Sequence, residues 1–181
     1  MRNIIYKSEN LIPWDTQSAF KMTSYRTDNE DHMVFCYMKG YVHCNDLILC
    51  SYCFTEHPSG KDSLHLYINC SPERTDKPLR ITFGFDGISC ADADGEDLTE
   101  LISYHSFKAD DEQGFYWCGE ILLDKKLLNR IFSVSLEEKS LVTMNMVQSF
   151  ENGDMSVLFG NAQDEGYSPL DNMEVFVILN Y

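Results

Sequence analysis

The clearest strand in the sequence reads SLHLYINC over residues 63–70. Its four apolar side chains recur at every second position, so they share one face of an extended chain. The opposite face carries polar and aromatic side chains, namely His65, Tyr67 and Asn69. The pattern predicts a strand with one face in a core and the other face in contact with water.

Short blocks with the same alternation recur along the chain. They cover residues 33–38, 41–44, 47–55, 80–87, 115–123, 141–150 and 155–159. Asn45-Asp46 is typical of a turn, and Asn152-Gly153 between two alternating runs is a strong hairpin signal. The spacing predicts an all-β fold: a single antiparallel β-sandwich, jelly-roll-like, with residues 1–181 as one domain.

Two segments depart from the half-buried strand pattern. After Asp124 the apolar period changes, and the spacing of Leu127, Leu128, Ile131 and Phe132 predicts a short helix capped by Asp124. The closing run at 173–179 is almost continuously apolar. A final strand buried on both faces fits that run best.

The net charge argues against a nucleic-acid partner, and the lack of long apolar runs favours a cytoplasmic location. The chain has 14 Lys+Arg against 29 Asp+Glu, a net charge of −15, so it repels a phosphate backbone and a nucleic-acid partner is not expected. No apolar run has the length of a membrane span, and the first residues have no hydrophobic signal core. We therefore expect an acidic, cytoplasmic protein without a membrane partner.

The seven cysteines lie at positions 36, 44, 50, 53, 70, 90 and 118. An odd count without a secretion signal predicts reduced thiols. Cys50 and Cys53 form a C-x-x-C pair, but residues three apart on a regular strand point to opposite faces. The pattern favours buried strand cysteines over a zinc or redox site.

The order of several motifs resembles the carbohydrate-binding family 9-like domains. The motifs are KDSLHLYIN (61–69), LRITFGFDG (79–87) and WCGEILL (117–123) ahead of a short helix, with NMVQ (145–148) as a partial echo. The resemblance runs from about Ile12 to Leu179 and implies a β-sandwich that binds a ligand, often a sugar, without catalysis. His65 stands where the family usually has an acid, and Leu123 where it commonly has Pro.

Sugar recognition needs an aromatic ring for the apolar side of the sugar and polar groups for its hydroxyls. Trp14, near Pro13 and Asp15, is one candidate platform, although it could instead pack the N-terminal segment onto the sandwich. Trp117 sits on an apolar strand face, which favours core packing. The remaining predicted binding residues share one concave sheet face, namely Tyr52, His65, Tyr67, Asn69 and Tyr116.

The loop at 92–97 is the candidate metal site. Asp92, Asp94 and Asp97 could wrap a calcium ion, the single cofactor that the sequence suggests, but the loop lacks the glycine and glutamate positions of an EF-hand. A solvated acidic loop is the alternative.

Catalytic motifs are absent from the sequence: it has no nucleophile elbow, zinc-protease helix or phosphate-binding glycine loop. The resemblance to the family 9-like domains implies a non-catalytic ligand-binding module with carbohydrate as the favoured partner. The alternatives are a structural or protein-interaction domain of the same fold without a sugar site and, third, a small glycoside hydrolase using Glu120 with a second acid. Ligand identity and oligomeric state stay open.

Overall fold

The computed structural model describes residues 3–27, 35–55, 62–71, 77–111 and 114–181. Met33, Val34 and Lys61, which belong to predicted blocks, lie outside these ranges. The first strands are β1 (Asn3–Ser8), β2 (Phe20–Lys21), β3 (Ser24–Arg26), β4 (Cys36–His43), β5 (Asp46–Cys53), β6 (Ser63–Asn69) and β7 (Leu79–Gly84). The later elements are β8 (Gly87–Ala91), β9 (Ser103–Asp111), β10 (Gly114–Leu123), α1 (Lys125–Phe132), β11 (Leu141–Ser149), β12 (Met155–Val157) and β13 (Glu174–Asn180).

The strands form one mixed sheet in the order β8-β7-β6-β11-β13-β1-β4-β5-β10-β9. Most neighbours are antiparallel, but β1 runs parallel to both β13 and β4. Parallel neighbours need a long connection, and residues 9–35 separate β1 from β4. The periodicity within each strand carries no signal for this pairing, which is why the sequence predicted antiparallel pairs alone.

The sheet curls so that its two halves face each other across the core. Ser51 on β5 donates a hydrogen bond to the sulfur of Met146 on β11 at 3.5 Å. The Tyr104 hydroxyl on β9 donates to the Gly84 carbonyl at the end of β7, 2.5 Å away. These contacts join strands that are far apart in the sheet order, so the predicted all-β, sandwich-like fold is confirmed as a near-barrel.

Glycine at position 119 leaves room for this close approach. A Cβ atom there would lie 3.0 Å from the Tyr104 hydroxyl and 3.1 Å from the Phe83 ring. Trp117, two residues earlier on the same inner face, has only 1% of its surface exposed. The predicted core role of Trp117 is confirmed.

The helix and the hairpin were predicted at the right places. The Asp124 side chain accepts a hydrogen bond from the Leu127 amide at 2.7 Å and so caps α1. Gly153 has a φ of 89° in the turn between β11 and β12. Among the described residues, no helix has the length and apolar character needed to cross a membrane.

The predicted burial of the last strand on both faces is wrong. In β13, Phe176 and Ile178 point into the core, whereas Val175 is 45% exposed on the outer side. A nearly continuous apolar run is thus buried on one side only. The two cysteines of the C-x-x-C pair do point to opposite faces, Cys53 inward and Cys50 outward.

Candidate functional site

Five aromatic side chains form a continuous group on the outer side of β4, β5 and β10, and we call this group the aromatic face. The Tyr37 and Tyr52 rings are stacked, with centroids 4.7 Å apart and planes 15° apart. The centroid of the Phe54 ring lies 5.2 Å from that of Tyr116 and 5.4 Å from that of Phe35. Phe35 is 36% exposed, and the other four rings are half-buried.

Strand alternation and register produce this group. Cys36 and Met38 point into the core, so Tyr37 between them points outward. The β4–β5 register places Tyr37 directly opposite Tyr52. Phe54 donates its backbone N–H to the Phe35 carbonyl at 2.9 Å, which continues the pairing past the ends of both strands.

A cation and a tryptophan border the aromatic face. The Lys39 ammonium lies 5.8 Å from the Tyr37 centroid and 5.9 Å from the Tyr52 centroid, within the range of a cation–π contact. Lys39 also donates to the Trp14 carbonyl at 2.7 Å. The Trp14 ring packs edge-on against Tyr41, 5.0 Å away. Trp14 therefore packs the N-terminal segment onto the same outer side, the alternative that the sequence left open.

The pKa values of two hydroxyls on this outer side, those of Tyr52 and Tyr41, are raised, so both groups stay protonated at neutral pH. Burial, and then the neighbouring Cys50 thiol, raise the pKa of Tyr52 well above its usual value. Burial, and then the Glu120 carboxylate, raise the pKa of Tyr41. Glu120 lies opposite Cys50 in the strand register. The outer side thus combines phenol donors, one ammonium group and one carboxylate.

The structure does not bring the six predicted binding residues together. Trp14, Tyr52 and Tyr116 share the outer side of β4, β5 and β10, but β6 is separated from β5 by four strands of the sheet and lies in the opposing half. The predicted concave face shared by Tyr52, His65, Tyr67, Asn69 and Tyr116 is therefore wrong. The sequence could not reveal this, because alternation gives the side of each strand and not the position of the strand in the sheet. The residues on β6 are His65, Tyr67 and Asn69.

The three residues on β6 have contacts within the protein. His65 lies 3.0 Å from the hydroxyls of both Ser63 and Thr82. Asn69 is buried and accepts the Ser71 amide N–H at 2.8 Å. Tyr67 packs against a small cluster of Val147, Val157 and Ala162. A ligand role for these residues stays a prediction.

The chain itself covers much of this second face. The buried amide nitrogen of Asn145, opposite Tyr67, lies 3.3 and 3.2 Å from the carbonyl oxygens of Phe159 and Pro169 and 2.9 Å from the Tyr167 hydroxyl, and its two N–H groups are shared among these three acceptors. The side-chain oxygen accepts the Phe159 amide N–H at 3.1 Å. Asn145 thereby ties the segment between β12 and β13 to the outer side of β11.

His65 makes stability depend on pH. Burial lowers its pKa, so below about pH 6.5 the unfolded chain takes up a proton that the folded chain resists. We expect the melting temperature of the wild type to fall more between pH 7.5 and about pH 5.5 than that of His65→Gln. Asn129→Ala, at an exposed and non-titrating position on α1, serves as the control and should keep the wild-type slope. Equal slopes for the wild type and His65→Gln would contradict the expectation.

The acidic loop does not fit a calcium ion. The Asp92 carboxylate accepts the amides of Asp94 and Glu96 at 3.0 and 2.8 Å, and Asp94 pairs with Lys77 at 3.0 Å. Asp97 caps the turn at Thr99, 2.9 Å away, which lowers its pKa. In the described ranges no three His, Cys, Asp or Glu side chains are placed to hold a metal. The carboxylates of the three predicted ligands are thus each engaged with a partner within the protein.

Sequence reasoning missed Phe35, Tyr37 and Phe54. Their alternation is visible in the blocks at 33–38 and 47–55, and it places all three on one side of their strands. What the sequence did not show is that the register sets these rings beside Tyr52 and Tyr116. A search for aromatic residues on the polar side of adjacent predicted strands would have found them.

No protein-family model matches the chain, and no curated protein matches it. Solved structures do. A family 9 carbohydrate-binding module from Caldicellulosiruptor kristjanssonii in complex with cellotriose has a TM-score of 0.71 and 9% identity, covering 100% of this chain and 95% of that one. The glucose complex has a TM-score of 0.71, 8% identity, and 100% and 97% coverage.

A candidate carbohydrate-binding protein from Bacteroides uniformis has a TM-score of 0.67 and 7% identity, covering 98% of this chain and 99% of that one. At these identities the likeness shows a shared fold. The resemblance that the sequence motifs indicated is confirmed at that level.

Proposed function

We propose that this protein is a non-catalytic module that binds carbohydrate on the aromatic face. The observation that carries the proposal is the group of Tyr37, Tyr52 and Tyr116 on adjacent strands beside Lys39 and Glu120. Support also comes from the fold, which is shared with a module solved in complex with cellotriose and with glucose. Fold alone does not assign function, so the surface chemistry has to support the proposal independently.

The chemistry of the aromatic face suits a sugar. Half-buried rings offer apolar surface to the C–H side of a sugar ring, and phenol hydroxyls offer donors and acceptors to its hydroxyls. Lys39 adds an ammonium donor, and Glu120 adds a carboxylate acceptor. The rings extend across three neighbouring strands, a width of about 10 Å, on the outer side of a curved sheet. An oligosaccharide lying across the strands fits this shape better than a single sugar held in a cleft.

The proposal includes no reaction. Glycoside hydrolysis needs two carboxyl groups facing each other across the scissile bond. Among the residues that the structure describes, the aromatic face and its border supply one such group, Glu120. Sugar binding without turnover is therefore the activity to be tested.

Protein binding is the second candidate function, and exposed phenylalanine favours it. Phe35 is 36% exposed at one edge of the aromatic face. Phe107 on β9, which lies opposite Cys118 of β10, is 40% exposed. A phenylalanine side chain cannot form a hydrogen bond with a sugar hydroxyl. Aromatic residues are enriched where proteins meet, so these two rings favour a protein partner.

Binding of cello-, xylo-, manno- and chito-oligosaccharides, measured by calorimetry, tests the proposal. We expect at least one series to bind and Tyr52→Ala to weaken that binding about tenfold or more, because a buried aromatic contact is lost. Tyr52→Phe keeps the ring and should retain more affinity than the alanine variant. Tyr181→Ala, which removes an exposed ring outside the aromatic face, is the matched control.

Two outcomes would contradict the proposal. One is the absence of binding to every series by folded wild-type protein. The other is sugar binding that Tyr52→Ala and Tyr116→Ala leave unchanged, which would place the sugar elsewhere. If the wild type binds no sugar, protein binding becomes the favoured function when the Phe35→Ser or Phe107→Ser variant no longer binds a protein partner that the wild type binds.

A further inference from the structure

Two fully buried thiols face each other beneath the aromatic face. Cys36 on β4 and Cys53 on β5 are directly opposite in the strand register. Their sulfur atoms are 3.2 Å apart. Each cysteine is next to a ring of the aromatic face, since Tyr37 follows Cys36 and Tyr52 precedes Cys53.

The backbone at this pair has the geometry that a disulfide needs. The Phe54 amide donates to the Phe35 carbonyl at 2.9 Å, so the hydrogen bond flanks the cysteine pair and identifies Cys36 and Cys53 as a non-hydrogen-bonded pair. Cα atoms in such pairs are about 4.5 Å apart, and their side chains lie closer than in hydrogen-bonded pairs. This separation falls within the range of about 4.4–6.8 Å seen for disulfides.

Cys50 and Cys118, a second pair of neighbouring cysteines, are not directly opposite each other. Cys50 lies opposite Glu120 and Cys118 lies opposite Tyr52, so the two are diagonal neighbours on β5 and β10. Diagonal neighbours in a sheet are farther apart than directly opposite residues. The pair therefore serves as an internal comparison for any oxidation experiment.

We propose that Cys36 and Cys53 form a disulfide when the chain folds in the presence of a disulfide oxidant such as oxidised glutathione. One thiolate attacks a sulfur of the oxidant and releases one glutathione thiol, forming a mixed disulfide. The second thiolate then displaces the remaining glutathione. The two cysteines lose two protons and two electrons in total, and the oxidant gains them as two thiols.

Folding and oxidation are coupled in this proposal. Burial, and then the Cys36 thiol, raise the pKa of Cys53, so few thiolates form once the core is closed. The bond therefore forms while the β4–β5 hairpin is still accessible. The same burial then shields it from reducing thiols.

The disulfide would close the hairpin around its turn at Cys44 and Asn45 and would hold together the strands that carry Tyr37 and Tyr52. With this disulfide formed, five of the seven cysteines remain as reduced thiols, instead of the seven that the sequence predicts. Closing a loop of this length is expected to raise the melting temperature by roughly 5–10 °C relative to the reduced protein. The inference depends on hairpin geometry and is independent of the proposed sugar binding.

The experiment is refolding of reduced, denatured wild-type protein in a mixture of oxidised and reduced glutathione, followed by denaturation with an alkylating reagent. We expect five of the seven cysteines to be alkylated. Trypsin cuts after Lys39 and separates Cys36 from Cys53, and chymotrypsin cuts after Tyr52 and separates Cys50 from Cys53. Mass spectrometry should then find a linked peptide pair containing Cys36 and Cys53.

Alkylation of all seven cysteines, or a linkage that is mainly between other cysteines, would overturn the proposal. A variant pair checks the assignment on the melting temperature. Cys36→Ser should abolish the difference between oxidised and reduced protein, whereas Cys50→Ser should preserve it. The peptide map uses wild-type protein, so it decides the question even if Cys36→Ser folds poorly.

Discussion

Replacing Trp117 with alanine is expected to lower the free energy of unfolding by about 3–5 kcal/mol, because it removes a large, almost fully buried ring from the core. The ring extends from the inner face of β10 toward the opposing half of the sheet. The core packs closely here, as the approach of Phe83 to Gly119 shows. Urea unfolding followed by circular dichroism measures the change.

Two variants separate the loss of packing from other effects. The Trp117 Nε1–H has no hydrogen-bond partner among the described residues, so Trp117→Phe removes an unpaired buried donor together with part of the ring. Trp117→Phe should therefore cost clearly less than Trp117→Ala. Trp14→Ala removes a half-buried ring on the outer side and should also cost less. A loss below about 1.5 kcal/mol for Trp117→Ala would contradict the core role of this ring.

Replacing Asn145 with alanine is expected to cost about 2–4 kcal/mol, because several buried backbone groups lose their partner at once. The Asn145 amide group donates to the Phe159 and Pro169 carbonyls, and its oxygen accepts the Met146 and Phe159 amides. Urea unfolding measures the cost. Hydrogen exchange should become faster in residues 159–172, the segment that Asn145 ties to β11.

Asn145→Asp is the more selective variant at this position. An aspartate keeps the acceptors but loses the two N–H donors, so the Pro169 carbonyl and the Tyr167 hydroxyl lose the donor that Asn145 provides, while the Phe159 carbonyl keeps only the Tyr167 hydroxyl, 2.9 Å away. We expect Asn145→Asp to destabilise the protein and to release the same segment. Asn129→Ala, at an exposed position on α1, is the control and should stay within about 0.5 kcal/mol of the wild type. Unchanged exchange in residues 159–172 of both Asn145 variants would contradict the tethering role.

Local patterns predicted the elements of the fold well. The alternation at 63–70 placed β6 and its core face, Asp124 marked the start of α1, and Asn152-Gly153 marked a hairpin. Each of these signals depends on neighbouring residues only. The parallel partners of β1 were missed, because a pairing across a long connection leaves no trace in the strand itself.

The candidate site was predicted only in part. Tyr52 and Tyr116 were singled out because they lie on the outer side of their strands, and both belong to the aromatic face. Tyr37 was missed although it follows the same alternation, since its contact with Tyr52 depends on the β4–β5 register. His65 was grouped with these rings, yet the sheet order places it in the opposing half.

The sequence by itself determined which residues face the core and where strands, helix and turns occur, because period and capping are properties of adjacent residues. Only the tertiary structure decided which outward side chains meet. The approach of Cys36 to Cys53 and the stacking of Tyr37 on Tyr52 both follow from one register between two strands. That register is set by the turn at Cys44 and Asn45 and by the burial of one face of each strand, since a slip of a single residue would turn every core side chain outward.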